Sequence, residues 1–162
     1  MKIISIDPGY ERVGIAIVEK KDRGKEELIY SNCFKTSAKL IFSERLFLIG
    51  QEIDSVIKKY KPDVMAIEKL FFTTNQKTAI GVSEARGVII YQALLNKIPV
   101  SEYTPLQIKI AVTGYGKGDK KQVISMVHNL IKIEKTIKHD DEYDAIAVGL
   151  THSACCGKHD LH

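Results

Sequence analysis

Asp7 closes the run Lys2–Asp7, in Ile6-Asp7-Pro8-Gly9, and Glu68 closes a second apolar run, in Ala66-Ile67-Glu68-Lys69. Each acid follows buried-type residues, so its carboxylate emerges at a sheet edge rather than on a freely solvated face. Asp141 and Asp144 stand three apart and share one face of a helix, with Cβ atoms ~5–6 Å apart. Four carboxylates gathered at one place repel and raise one another's pKa values unless divalent cations bind. Mg²⁺ suits such a donor set, being a hard ion that takes oxygen ligands and keeps several waters. Two such ions ~4 Å apart activate a water and stabilise the leaving oxygen of a phosphodiester. A plainer reading stands beside this one. An acid after a strand forms turns, and Asp141 and Asp144 equally serve as an N-cap and a first-turn acid. Spacing alone does not show that the three segments converge.

The elements that must position these acids change period along the chain. Lys2–Asp7 alternates and is rich in Ile, a strand that stops at Pro8-Gly9. Val13–Val18 and Leu28–Lys35 follow as strands, joined through the charged turn Lys20–Glu27, and the three suggest an antiparallel meander. From Phe42 to Tyr60, Leu46, Ile49, Ile53, Val56 and Ile57 recur at helical spacing before Pro62 ends the segment. Asp63–Glu68 reads as a short strand and Gln76–Asn96 as a helix with Ala79, Val82, Ala85, Val88 and Ile89 inward. Ile98–Ser101 is expected as a fifth strand. Helices are expected over Pro105–Val112, Asp119–Ile131 and Asp140–His152, with a loose tail over residues 154–162. Strands first, then strands alternating with helices, give an α/β architecture: a five-stranded mixed sheet flanked by helices.

A chain of 162 residues without repeats or linkers fits one domain with a real core. No apolar run approaches the ~20 residues of a membrane helix. Charges at Lys2, Asp7, Glu11 and Arg12 interrupt any signal-peptide pattern, so a cytoplasmic protein is expected. Lys plus Arg exceed Asp plus Glu by 24 to 20, a mild excess compatible with a polyanionic partner. Three cysteines, Cys33, Cys155 and Cys156, form no CxxC pair and read as reduced thiols. His152, Cys156 and His159 have a spacing open to Zn²⁺, but Gly157 weakens the helix there and no second ligand cluster is visible.

Several blocks occur together and in order. They are Ile6-Asp7-Pro8-Gly9 with Gly14; Ala66-Ile67-Glu68 with Phe71 and Asn75; Glu84-Ala85-Arg86-Gly87; and Asp141-Glu142-Tyr143-Asp144-Ala145-Ile146-Ala147 with Thr151-His152. Together they resemble the RuvC family of bacterial Holliday junction resolvases, from Lys2 to about His152. The resemblance implies a ribonuclease H-like nuclease domain over residues 1–153. It also implies a homodimer, association with the RuvA-RuvB branch-migration complex, and paired nicking of four-way DNA junctions with Mg²⁺, two ions per subunit, Mn²⁺ able to substitute. Carried over by position, Asp7, Glu68, Asp141 and Asp144 are the metal-binding catalytic acids. Phe71 falls where the family has an aromatic that stacks on junction bases, and Lys109 and Lys120 match family lysines near the scissile phosphate. Asp140, four before Asp144, is an alternative to Asp141 or an N-cap.

The remaining basic residues are consistent with DNA. Gly114-Tyr115-Gly116-Lys117-Gly118-Asp119-Lys120-Lys121 is a Gly-rich loop with three lysines, Lys117, Lys120 and Lys121, ahead of a helix. Its amides and lysines suit a phosphate, although the P-loop spacing is absent. Lys69 and Lys77 flank a stretch that interleaves aromatics and lysines, and base stacking on an aromatic is worth ~1–3 kcal/mol. Of Phe71 and Phe72, one is expected buried and one exposed. Arg86, among small neighbours, suits either a dimer contact or an intrachain ion pair. Other readings are a RuvC-like RNA-processing nuclease of the YqgF type, a nucleotide-binding module of the actin/sugar-kinase type, and a non-catalytic junction-binding protein. The chain is short for two nucleotide-gripping lobes, and the presence of all four acids speaks against a pure binder.

Overall fold

The computed structural model describes residues 1–21, 25–70 and 76–156, with the backbone alone at residues 76 and 77. Phe71, Phe72 and Asn75, the side chain of Lys77, and the tail from residue 157 lie outside the described residues.

Three antiparallel strands open the chain: β1 (Lys2–Asp7), β2 (Arg12–Glu19) and β3 (Glu27–Lys35). Helix α1 (Phe42–Tyr60) follows, then β4 (Val64–Glu68), α2 (Gln76–Leu95) and β5 (Val100–Tyr103). Three helices complete the order: α3 (Pro105–Thr113), α4 (Lys120–Leu130) and α5 (Asp140–Cys155). The sheet runs β3-β2-β1-β4-β5, with β4 parallel to β1 and β5 parallel to β4. This is the expected five-stranded mixed sheet flanked by helices, a ribonuclease H-like architecture.

Period-2 alternation divides the core in two. Ile4, Ile6, Ile15, Ile17, Met65 and Ile67 face α1 and α2, where Ile49, Ile53, Ala85 and Ile89 meet them. Ile3, Ala16, Val18, Val64 and Ala66 face α3, α4 and α5. By the same alternation Asp7, continuing the parity of Ile3, and Glu68, continuing that of Val64 and Ala66, point to the α5 side. Arg12 and Gly14, in step with Ala16, share that face.

Helix ends carry their own signals. Glu44 reaches back to the Ile41 N–H at 3.3 Å, and Lys61, left-handed at φ 50°, ends α1 before Pro62. Thr104 with Gln107 and Asp119 with Gln122 form reciprocal caps at the starts of α3 and α4.

Two expectations need adjustment. The fifth strand begins at Val100 rather than Ile98, because the ladder with β4 pairs Met65 with Val100 and Glu68 with Tyr103. Pro99 has no N–H to give the ladder, although its carbonyl accepts from Met65. The last helix also runs past His152 to Cys155, into the segment assigned to the tail.

Candidate active site

Asp7 and Glu68 come together because β1 and β4 are neighbouring parallel strands. Ile6 pairs with Ile67, so the next residues of both strands are the two acids, side by side at the C-terminal edge. The two carboxyls are near enough that the Glu68 charge raises the Asp7 pKa. On the other flank Asp7 pairs with Gly14 of β2, and Gly14 pairs with Cys33 of β3.

The first turn of α5 descends on this row at Gly14. A Cβ built there would lie 1.9 Å from the Asp141 carbonyl oxygen, so only glycine lets the helix approach so closely. A second close approach, of Gly149 to Ser5 and Val18, docks the middle of α5. The helix start thereby brings Asp141 and Asp144 within electrostatic reach of Asp7. The structure thus brings all four acids together.

Burial and crowding govern their charge. Burial, then the charges of Glu68, Asp144 and Asp141, push the Asp7 pKa well above the usual carboxylate range. Burial, then Asp144, pushes Glu68 up to about 7. Asp144 is raised by burial against the opposing pull of Lys120. Lys120 sits 3.0 Å from Asp144 and 3.4 Å from Asp140. Burial alone pulls its ammonium down, but the hydrogen bonds and charges of these acids leave its pKa raised.

Asp140 and Asp141 are separated by direction. Asp141, 22% exposed, pairs with Arg12 at 3.2 Å and contacts the Cys33 thiol at 3.9 Å. Asp140, 62% exposed, meets Lys120 from outside. Asp140 does not act as the N-cap; that position is His139, which caps without a side-chain bond. Arg12 was not singled out by the sequence reading, and its position on the α5 face of β2 was the available signal.

The donor set is of the right chemistry for a hard divalent cation: four carboxylates, two of them mostly buried and held against their own repulsion. Among the described residues no group of three or more His, Cys, Asp or Glu side chains is closed around an ion position. Asp141 and Asp144 are instead engaged by Arg12 and Lys120.

The lysines distribute around this edge. Lys109, on α3, is near enough for its charge to pull the Glu68 pKa down. Lys69 is exposed directly after Glu68, and Lys117 and Lys121 are exposed on the far side of Lys120. The Gly-rich loop is less of a phosphate cradle than expected. Gly114, at φ 72°, caps α3, and the Asp119 carboxylate already accepts from the first turn of α4, at 2.8 Å from the Gln122 nitrogen. A negative group therefore occupies that helix start.

Arg86 makes an intrachain bond: it donates to the Glu68 carbonyl at 3.2 Å and pairs with Glu102 at 2.6 Å. His152 is buried; its Nδ1 lies 2.8 Å from the Tyr103 hydroxyl, and its Nε2 lies 3.3 Å from the Cys156 sulfur. His159, the third position of the Zn²⁺ spacing, lies outside the described residues.

Residues 3–152 match the family model described as crossover junction endodeoxyribonuclease RuvC. A protein of that name from Fusobacterium nucleatum is 45% identical over 152 residues, 94% of this chain and 80% of its own length. Another from Caldicellulosiruptor saccharolyticus is 44% identical, covering 94% of this chain and 92% of its own. The solved Thermus thermophilus RuvC superposes with a TM-score of 0.87 at 29% identity, over 95% of this chain and 94% of that one. T. thermophilus RuvC in complex with a Holliday junction substrate gives 0.88 at 30% identity, over 94% and 93%. A match across nearly the whole chain, with the acids gathered at one sheet edge, leads to one conclusion: this chain belongs to the RuvC family of crossover junction endodeoxyribonucleases.

Proposed function

We propose that this protein resolves four-way (Holliday) DNA junctions by paired, symmetric nicks in recombination and repair, acting in the cytoplasm. The single observation that carries this is the convergence of Asp7, Glu68, Asp141 and Asp144 at one sheet edge in a chain of this family. Asp7, Glu68, Asp141 and Asp144 hold the divalent cations, Mg²⁺ in two sites with Mn²⁺ able to substitute. Bound there, the cations supply the charge that activates a water and stabilises the leaving oxygen.

The chain's own residues do the rest. Glu68, with a pKa near 7, and Asp7 beside it, raised well above the usual carboxylate range, hold or release protons according to the positive charge near them. Lys120 enters the reaction protonated, and so either neutralises charge developing on the phosphate as an ammonium or gives that proton to the leaving oxygen. Lys109, Lys69, Lys77, Lys117 and Lys121 bind the DNA backbone around the edge, and Phe71 stacks on an opened junction base.

Two active sites are needed for paired nicks, and a homodimer supplies them. Ile80, Tyr91 and Leu94 of α2 are each more than half exposed, and lie on one stripe with the exposed Gly87. Beyond its own turn of helix, no atom of the described residues lies within 4 Å of a Cβ built at Gly87, so a second copy has room to pack closely. The RuvA-RuvB branch-migration complex is the further partner. Residues 1–153 form one nuclease domain.

Cleavage of a synthetic four-way junction, labelled on each strand, tests the proposal with Mg²⁺ or EDTA, for wild type and Asp7→Asn. The expected result is symmetric nicks that need Mg²⁺ and vanish in the variant. Tight junction binding without nicks would indicate a binding protein. Equal action on linear duplex would redirect the search to RNA.

A further inference from the structure

Beside the carboxylates lies a small polar cavity of about 250 Å³, lined by Arg12, Lys120, Lys138, His139, Asp140 and Asp141. Of these, Arg12, Lys138 and His139 have no part in the acid and lysine set described above. Arg12 is the hinge of the arrangement. Its guanidinium is half exposed, 53%, yet its Nε sits 3.2 Å from Asp141 Oδ2, one of the oxygens a cation would take. The backbone fixes this pairing on both sides. Arg12 starts β2, paired with Lys35 of β3, and Gly14 two residues on seats the Asp141 carbonyl.

We propose that Arg12 exchanges one anion for another: a divalent cation displaces it from Asp141, and the freed guanidinium binds a DNA phosphate in the cavity it shares with Lys138. This rests on the resolvase reading and adds to it a residue that couples metal loading to DNA grip. The chemistry favours the exchange over a passive salt bridge. A carboxylate that ligates a cation no longer needs a guanidinium, and an exposed ion pair is weak enough to open. A guanidinium released beside a lysine meets a phosphodiester with the bidentate geometry it matches best. Asp141 thereby acts as the switch between the two positive charges, and the Cys33 thiol at 3.9 Å offers it no competing charge.

The test compares wild type with Arg12→Gln and Arg12→Lys in two separate measurements. The first is Mn²⁺ binding without DNA, followed by the free-ion electron paramagnetic resonance signal. The second is junction affinity by fluorescence anisotropy, in EDTA and in Ca²⁺, across a salt series. Removing the guanidinium is expected to tighten Mn²⁺ binding ~2–5-fold, the worth of an exposed ion pair. The same change is expected to weaken junction binding in Ca²⁺ but not in EDTA, with a salt slope reduced by about one. Arg12→Lys, which keeps the charge but not the bidentate fork, is expected to recover only part of the junction affinity. The opposite signs are the signature of exchange.

Mn²⁺ binding unchanged or weakened in Arg12→Gln overturns the proposal. So does a loss of junction affinity equal in EDTA and Ca²⁺, which describes a plain phosphate contact. Failure of wild type to bind junctions at all would instead overturn the resolvase reading, while the Mn²⁺ measurement would still report on the Arg12–Asp141 pair. Thermal unfolding of the variants confirms that the fold is kept, as the exposure of Arg12 implies.

Discussion

Asp7 and Glu68 are joined across two parallel strands, one step beyond the pair Ile6–Ile67, close enough that the Glu68 charge raises the Asp7 pKa. Two acids so joined cannot both be fully charged without positive charge nearby. That relationship ties the charge state of the site to pH, to metal and to the stability of the fold.

The first prediction concerns pH. The pKa of Asp7 is raised well above the usual range, that of Glu68 to about 7, and that of Asp144 is raised. Raised carboxyl pKa values mean that the folded protein binds more protons than the unfolded chain. The resulting stability is full below the unfolded value near 4.5 and is lost as pH rises through the folded values. In EDTA, the unfolding temperature is expected to fall between about pH 4.5 and 7. Glu68 accounts for at most about 3 kcal/mol of that loss. Glu68→Gln is therefore expected to raise the midpoint at pH 7.5 and to flatten the profile in calorimetry. A midpoint that climbs with pH over this range would contradict the burial argument.

The role proposed for Lys120 can be separated from binding. Its ammonium lies 3.0 Å from Asp144 and stays charged. Lys120→Ala is expected to lower single-turnover cleavage ~10²–10³-fold, the range for losing one charge-stabilising donor. Junction affinity should change far less, since the other lysines remain. Unchanged turnover would remove Lys120 from the chemistry.

Two glycines make a matched pair. Gly14→Ala places a methyl 1.9 Å from the Asp141 carbonyl oxygen and must lift the start of α5. A stability loss of about 3 kcal/mol is expected by urea denaturation, with cleavage lost although no acid is changed. Gly87→Ala meets nothing and lies inside α2, so it should stabilise the subunit by ~0.5–1 kcal/mol. Gly87→Glu, on the proposed dimer stripe, should shift the mass by light scattering from dimer toward monomer.

Arg86 braces Glu68 from behind. Its bonds to the Glu68 carbonyl and to Glu102 tie α2 to the ends of β4 and β5. Arg86→Ala is expected to cost ~1–3 kcal/mol, because a mostly buried carbonyl loses its partner. Arg86→Lys should recover little, since one ammonium does not reproduce a guanidinium fork. Thermal unfolding of both variants decides it.

Much of this was legible because it rests on local pattern. The helix Phe42–Tyr60 was read with its observed ends, since an apolar period of 3.6 and a following proline are both local. The acids at strand ends were legible too, because alternation predicts where a strand stops being apolar. What local pattern does not carry is partner choice. The strand after Ile98 starts two residues late because pairing with β4, not hydrophobicity, sets its register. Position favours Asp141 and leaves Asp140 as an alternative; only the helix start seated on Gly14 separates them, turning Asp141 toward Arg12 and Asp140 outward. The Ser31–Glu142–Lys135 network, with Glu142 buried and bonded to Ser31 at 2.6 Å, needs the path of residues 131–139, which no periodicity encodes.

The seating of α5 on Gly14 and Gly149 also orders events in time. A nascent chain emerges with its N-terminal strands first, at ~5–20 residues per second. Until residues 140–155 leave the ribosome, Ile3, Ser5, Ala16 and Val18 lack the helix that covers them, and Asp7 lacks Asp141 and Asp144. Half of the acids and much of one core layer thus arrive on the same late segment. One core layer and the proposed catalytic centre are therefore completed together, and a chain caught partway through synthesis is expected to carry no working nuclease.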